Sequence, residues 1–107
     1  LEPTIFALAA NLSSDYVGGY WAFYTLSNGG FYMAPDSGPR FQIISPNGWE
    51  GFMSADGFGI AVCLFAYSHL SFGNRQDFAE CCTRHYHWLR EFAMDHGEAR
   101  EILAVCD

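Results

Sequence analysis

The 107-residue chain contains no lysine, and twelve carboxylates face five arginines for a formal net charge of -7. Those arginines stand apart, at positions 40, 75, 84, 90 and 100. A domain that grips nucleic acid neutralises phosphates with a basic patch, so direct DNA binding is not expected. No apolar run free of polar interruption reaches the ~20 residues of a membrane span, and no membrane association is expected. The apolar start at residues 1–10 lacks the basic flank of a signal peptide. Cys-x-x-Cys spacing is missing too. Cys63, Cys81, Cys82 and Cys106 fit neither a disulfide framework nor a zinc knuckle and read as small buried hydrophobes of a reducing cytoplasm.

Catalytic signatures are equally scarce. Gly57-Phe58-Gly59 lacks the third glycine and the βαβ context of a dinucleotide fingerprint, and no phosphate loop occurs. Cys81 and His85 share a helical spacing, but no further ligand at zinc spacing accompanies them. His85 and His87 would point about 200° apart on a helix. Neither a metal nor a cofactor is expected. Cys63 and Cys82 lie in helical segments with no oxyanion loop beside them, and sequence does not bring Asp15, Asp36, Glu50 and Asp56 together as a carboxylate pair. No catalytic residue is nominated.

What the chain has is apolar and aromatic mass: half its residues are hydrophobic and 18% are aromatic, which excludes disorder. Its length fits one domain over residues 1–107, able to bury roughly 60–70% of its unfolded surface. The organising stretch is residues 18–35, two aromatic runs around Asn28-Gly29. That dipeptide tolerates the two positive φ values of a type I′ turn. The pattern predicts a hairpin with Leu26 opposite Phe31 and Tyr24 opposite Met33. Ala22, Tyr24, Leu26, Phe31 and Met33 would share one face, and Trp21, Phe23, Thr25, Tyr32 and Ala34 the other. Neither face is polar. Either both are covered or one is offered to a partner, and Trp21, Phe23, Asn28 and Tyr32 are the candidate interaction surface. The alternative packs Trp21 and Phe23 beneath an N-terminal helix.

Around this hairpin the spacing predicts a helix from Pro3 to Tyr16, ended by Gly18-Gly19. A loop over residues 36–39 leads to a second hairpin, with strands starting at Phe41 and Trp49 and a turn at Pro46-Asn47-Gly48. Ser54 caps a largely apolar helix reaching Leu70, whose Gly57 and Gly59 admit a close neighbour. Residues 75–96 form an amphipathic helix with a stripe of Phe78, Cys81, Cys82, His85, Leu89, Phe92 and Ala93, and with Glu80 and Arg84 spaced as a pair. Gly97 is the expected left-handed stop before a short last helix. The fold class is therefore α+β: a four-stranded antiparallel sheet of two hairpins packed against several helices.

The hairpin carries a resemblance. Tyr20-Trp21 with Phe23-Tyr24-Thr25-Leu26-Ser27-Asn28-Gly29-Gly30-Phe31-Tyr32-Met33-Ala34-Pro35 closely resembles the signature of the ArdB/KlcA antirestriction family, found on plasmids and in bacterial genomes. Gly51-Phe52-Met53-Ser54-Ala55-Asp56 with residues 59–66 is similar to the family's central segment. His85-Tyr86, Leu89-Arg90, Phe92-Ala93, His96 and Glu98-Ala99 are similar to its C-terminal one. Two departures stand out: Gly97 occupies a place where the family usually has proline, and the sequence as given starts without the additional N-terminal segment that members usually carry, as expected of a fragment. The resemblance implies a cytoplasmic bacterial protein that counters type I restriction-modification systems and so protects incoming mobile DNA. Its expected partner is such a system or an associated host factor, met by non-catalytic protein interaction. Two alternatives stay open: an acidic mimic of DNA, for which the carboxylates are few and dispersed, and a small enzyme of unknown substrate.

Overall fold

The computed structural model of the protein describes residues 1–16, 18–36 and 40–106. Of the loop predicted at residues 36–39, residues 37–39 lie outside them. Helix α1 (Glu2–Leu12) takes Pro3 into its first turn, where a missing N–H costs nothing. It stops short of Tyr16 because Ser13 turns extended and its hydroxyl accepts the N–H of Asp15. Gly18 and Gly19, at φ +96° and +109°, swing the chain into the first hairpin as expected. Strands β1 (Trp21–Thr25) and β2 (Phe31–Pro35) form it, and β3 (Phe41–Ile44) and β4 (Glu50–Met53) form the second. Helices α2 (Ala55–Leu70), α3 (Gln76–Met94) and α4 (Ala99–Cys106) complete the chain.

The first turn is built on three residues rather than two. Gly29 N–H reaches the Leu26 carbonyl at 3.0 Å and Leu26 N–H reaches the Gly30 carbonyl at 2.8 Å. Only Gly29 in this loop has positive φ, at +103°, the pattern of a type I turn closed by a glycine bulge. Asn28 decides the outcome. Its Oδ1 accepts the N–H of Gly30 and its Nδ2 donates to the Trp88 carbonyl, both at 2.9 Å, so one amide shapes the loop and ties it to α3. The register consequently differs by one from the expected one. Tyr24 faces Tyr32 and Phe23 faces Met33, which moves Phe31 and Met33 to the side of Trp21, Phe23 and Thr25, and Tyr32 and Ala34 to the side of Ala22 and Tyr24. The second turn repeats the device. Gly48 has φ +94°, Asn47 Oδ1 accepts Trp49 N–H at 2.9 Å, and Asn47 Nδ2 donates to the Ala104 carbonyl of α4 at 2.8 Å.

The α+β class and both antiparallel hairpins hold, but the hairpins form two separate two-stranded sheets instead of joining into one. The reason lies at the outer edge of β2. Met33 N–H contacts Cys63 Sγ at 3.5 Å, Cys63 Sγ contacts the Met33 carbonyl at 3.4 Å, and Tyr67 hydroxyl donates to the Phe31 carbonyl at 2.9 Å. Helix α2 thus takes the place a third strand would need. A Cβ at Gly59 would lie 2.5 Å from the Cα of Ala34 and 2.6 Å from the Met33 oxygen, so glycine is what permits this approach.

Helix α2 is the centre of the core, with ten buried residues running from Gly57 to Tyr67. It packs on α1, α3, α4, β2 and β4. Its N-cap is Ser54, whose hydroxyl accepts the N–H of Gly57 at 3.2 Å. The buried line of α3 is Ala79, Cys82, Leu89 and Ala93, while Phe78 of the expected stripe is exposed. Glu80 accepts a hydrogen bond from Gln76 at 3.1 Å. Gly97 does not have the expected positive φ; α3 ends through Asp95 in a right-handed conformation, held by the Phe92 and Ala93 carbonyls. No helix among the described residues is long and apolar enough to cross a membrane.

Candidate functional site

The four candidate surface residues separate. Trp21 is 8% exposed: its indole N–H donates to the Tyr16 hydroxyl at 3.2 Å, and its ring meets Phe6 of α1 edge-on at 5.5 Å. It packs beneath the N-terminal helix. Tyr32, at 4%, is buried as well, because the one-residue register change brings it to the side that α3 covers through Phe92, at 5.7 Å. Asn28 spends its amide on the turn and on α3. Phe23 alone meets the expectation of an exposed aromatic, at 58%. Tyr20 at 90% and Tyr24 at 41% flank it, so the surface the hairpin presents is β1 and its entry.

Tyr24 joins this surface to a polar cluster. Its ring stacks on Tyr32 at 4.9 Å, and the Tyr32 hydroxyl donates to Asp56 Oδ1 at 2.6 Å. Asp56, in the first turn of α2, meets His96 Nε2 through its other oxygen at 2.7 Å. His96 Nδ1 accepts the N–H of Glu98 at 2.9 Å, which leaves the proton on Nε2 and makes His96 the donor to Asp56. The Glu98 carboxylate then returns to Ser54, accepting its N–H at 3.0 Å and its hydroxyl. Burial and the neighbouring Asp56 carboxylate push the Tyr32 phenol above its ordinary range, so it stays a neutral donor.

This cluster closes on itself. Both nitrogens of His96 and both oxygens of Asp56 hydrogen-bond within it. Its evident work is to pin β2, the start of α2 and the α3–α4 junction together. In the sequence Asp56 stood only among carboxylates that could not be paired and inside the central segment of the family resemblance. The signal available was Tyr32 itself, a phenol in an apolar hairpin that needs a partner once buried. Among the described residues, no group of three or more His, Cys, Asp or Glu side chains is arranged to hold a metal. An open depression of about 380 Å³ is lined by Pro3, Thr4, Ala7, Leu8 and His69, apart from the cluster. Cys63, the most buried thiol, is raised to about 12 by its burial and is inert at neutral pH.

Comparison with known proteins places this arrangement. The profile described as antirestriction protein matches residues 14–107, and the chain belongs to the antirestriction protein family. It is 46% identical over 110 residues to the uncharacterized protein YafX of Escherichia coli strain K12, covering 100% of this chain and 70% of YafX. It is 42% identical over 109 residues to an antirestriction protein KlcA of Escherichia coli, covering 99% of this chain and 74% of that protein. A solved structure matches with a TM-score of 0.91 at 42% identity, over 99% of this chain and 76% of the other. That work on KlcA and ArdB describes a novel fold and antirestriction activity against type I DNA restriction systems in vivo but not in vitro.

Proposed function

We propose that this protein acts in the bacterial cytoplasm to counter type I restriction-modification systems, by non-catalytic contact with a protein of the system or with an associated host factor. The observation that carries the reading is the contrast between the exposed, uncharged surface of Tyr20, Phe23 and Tyr24 on β1 and its entry and the polar cluster behind it, whose groups hydrogen-bond to one another. Exposed rigid aromatics desolvate a large area with few rotamers to fix, which suits them to anchor an interface. The activity of the related proteins in vivo but not in vitro supports the same reading. A mimic that occupies an enzyme's DNA site acts on the purified enzyme, whereas a contact that needs a further cellular component does not.

The test pairs Phe23→Ala with a multiple acid-to-amide variant, both verified as folded by circular dichroism, in cells carrying a type I system challenged with unmodified DNA. Loss of protection in Phe23→Ala with retention in the amide variant is the expected result. The reverse pattern would establish DNA mimicry.

A further inference from the structure

Among the described residues, side chains engage three of the four outer strand edges. The outer edge of β2 is met by Cys63 and Tyr67. On β3, Gln42 N–H donates to Asp15 at 2.9 Å, and on β4 the Phe52 carbonyl accepts from Arg40 at 3.2 Å. The edge of β1 is different. Leu26 pairs with Gly30 and Tyr20 with Asp36 through main-chain hydrogen bonds, so by alternation Tyr24 and Ala22 bond to β2 while the N–H and C=O groups of Phe23 and Thr25 point away from it. The Met33 and Phe31 groups opposite them do point outward on the other side, toward α2, which confirms the phase. Among the described residues, no hydrogen bond reaches the main chain of Phe23 or Thr25. Their side chains are exposed as well.

Native proteins blunt such an edge with charge, proline or a bulge. Here residues 18–34 contain no charged residue and no proline in a chain of net charge -7, and β1 pairs through all five residues without a bulge. The edge is left open and neutral. We propose that β1 receives an extended segment of the partner protein as an added strand, a deepening that rests on the reading of the hairpin as the contact surface. Recognition is by main-chain groups spaced two residues apart, which only another extended polypeptide matches. The occupant's apolar side chains cover Phe23 and Tyr24. Charge selects the kind of segment: a second copy brings a further -7 to the interface, whereas a stretch flanked by arginine or lysine is attracted by the net charge of -7.

Thr25→Pro tests this, because it deletes one outward N–H and leaves every aromatic ring in place; Thr25→Val keeps the N–H. With protection from type I restriction in cells as the readout, Thr25→Pro is expected to protect about tenfold less than Thr25→Val, the worth of one hydrogen bond. If Thr25→Pro melts early, replacing the Thr25 amide by an ester makes the same deletion without restricting φ. Full protection by a folded proline or ester variant overturns strand addition. If Phe23→Ala still loses protection, the aromatic contact surface survives that result; if it does not, both readings fall. Light scattering of the purified wild type supplies the remaining arm: a dimer that the Thr25→Pro variant cannot form would put a second copy on the edge and overturn the partner segment.

Discussion

Gly59→Ala should destabilise this protein, although the same exchange ordinarily strengthens a helix by about 1 kcal/mol. The added methyl would stand 2.5 Å from the Cα of Ala34 and 2.6 Å from the Met33 oxygen, where carbon contacts normally keep roughly 3.5–4.0 Å. Both obstacles are backbone atoms, so no side chain can swing aside and α2 must part from β2 by about 1 Å. Parting loosens the Cys63 contacts to Met33 and the Tyr67 bond to Phe31. Overpacking costs about 1–3 kcal/mol, and an unyielding obstacle puts this site at the upper end; after the propensity gain, a net loss of about 2 kcal/mol remains. For a domain of this size that lowers the melting temperature by about 8–16 °C, read by circular dichroism in a reversible melt. Gly97→Ala is the internal control. Nothing lies within 4 Å of its Cβ position and its φ is not positive, so alanine there should stabilise by about 0.4–1 kcal/mol through the unfolded chain. A Gly59→Ala protein that melts at or above the wild type would refute the close packing of α2 on β2 as described.

Two further outcomes follow from the polar cluster and the buried thiol. Tyr32→Phe removes the hydroxyl that donates to Asp56 and should cost about 1–2 kcal/mol, since half-exposed Asp56 recovers water; urea titration measures it, and in-cell protection per folded molecule should persist, where loss from a protein of unchanged stability would give the cluster a chemical role. Alkaline stability should fall between pH 9 and 12. The unfolded Cys63 thiol ionises from its ordinary 9.0 upward and the folded one only at about 12, so the unfolded state sheds protons first and stability, complete below pH 9, is lost through that window. Melting temperatures against pH should decline less steeply for Cys63→Ala, and an identical decline would show that the thiol is not the group involved.

The elements were legible because their signals are local. Proline near the start of α1, the Ser54 cap, the glycine pair at 18 and 19 and the apolar run of α2 each act within a few residues. The errors arose where distant groups decided. Asn28 selects a three-residue loop because Trp88 of α3 offers a carbonyl sixty residues away, and the register follows from that choice. The hairpins stay apart because Cys63 and Tyr67 take the edge of β2, which no strand pattern reveals. Of the proposed surface, the sequence showed that neither hairpin face is polar, so that both are covered or one is offered to a partner. It did not show which, since alternation turns a one-residue change of register into an exchange of faces; Tyr32 went inward and Phe23 stayed out.

That exchange also orders the functional reading. Had Tyr32 stood outside, its phenol and Asp56 would have offered a partner a polar, titratable contact. Instead the Tyr32 hydroxyl, Asp56, His96, Glu98 and Ser54 bond to one another, and Asn28 and Asn47 bond to helix carbonyls. A chain with few polar side chains in its hairpins has used them to hold the hairpins against α2, α3 and α4. What remains available on β1 is aromatic surface and main chain. On the proposed strand addition, binding is by shape and by strand hydrogen bonds, both nearly indifferent to salt, while a surface imitating DNA must weaken steeply as salt rises. The acidic net charge of this protein is therefore compatible with the proposed contact, in which the acids bear on which segments approach rather than on what holds them.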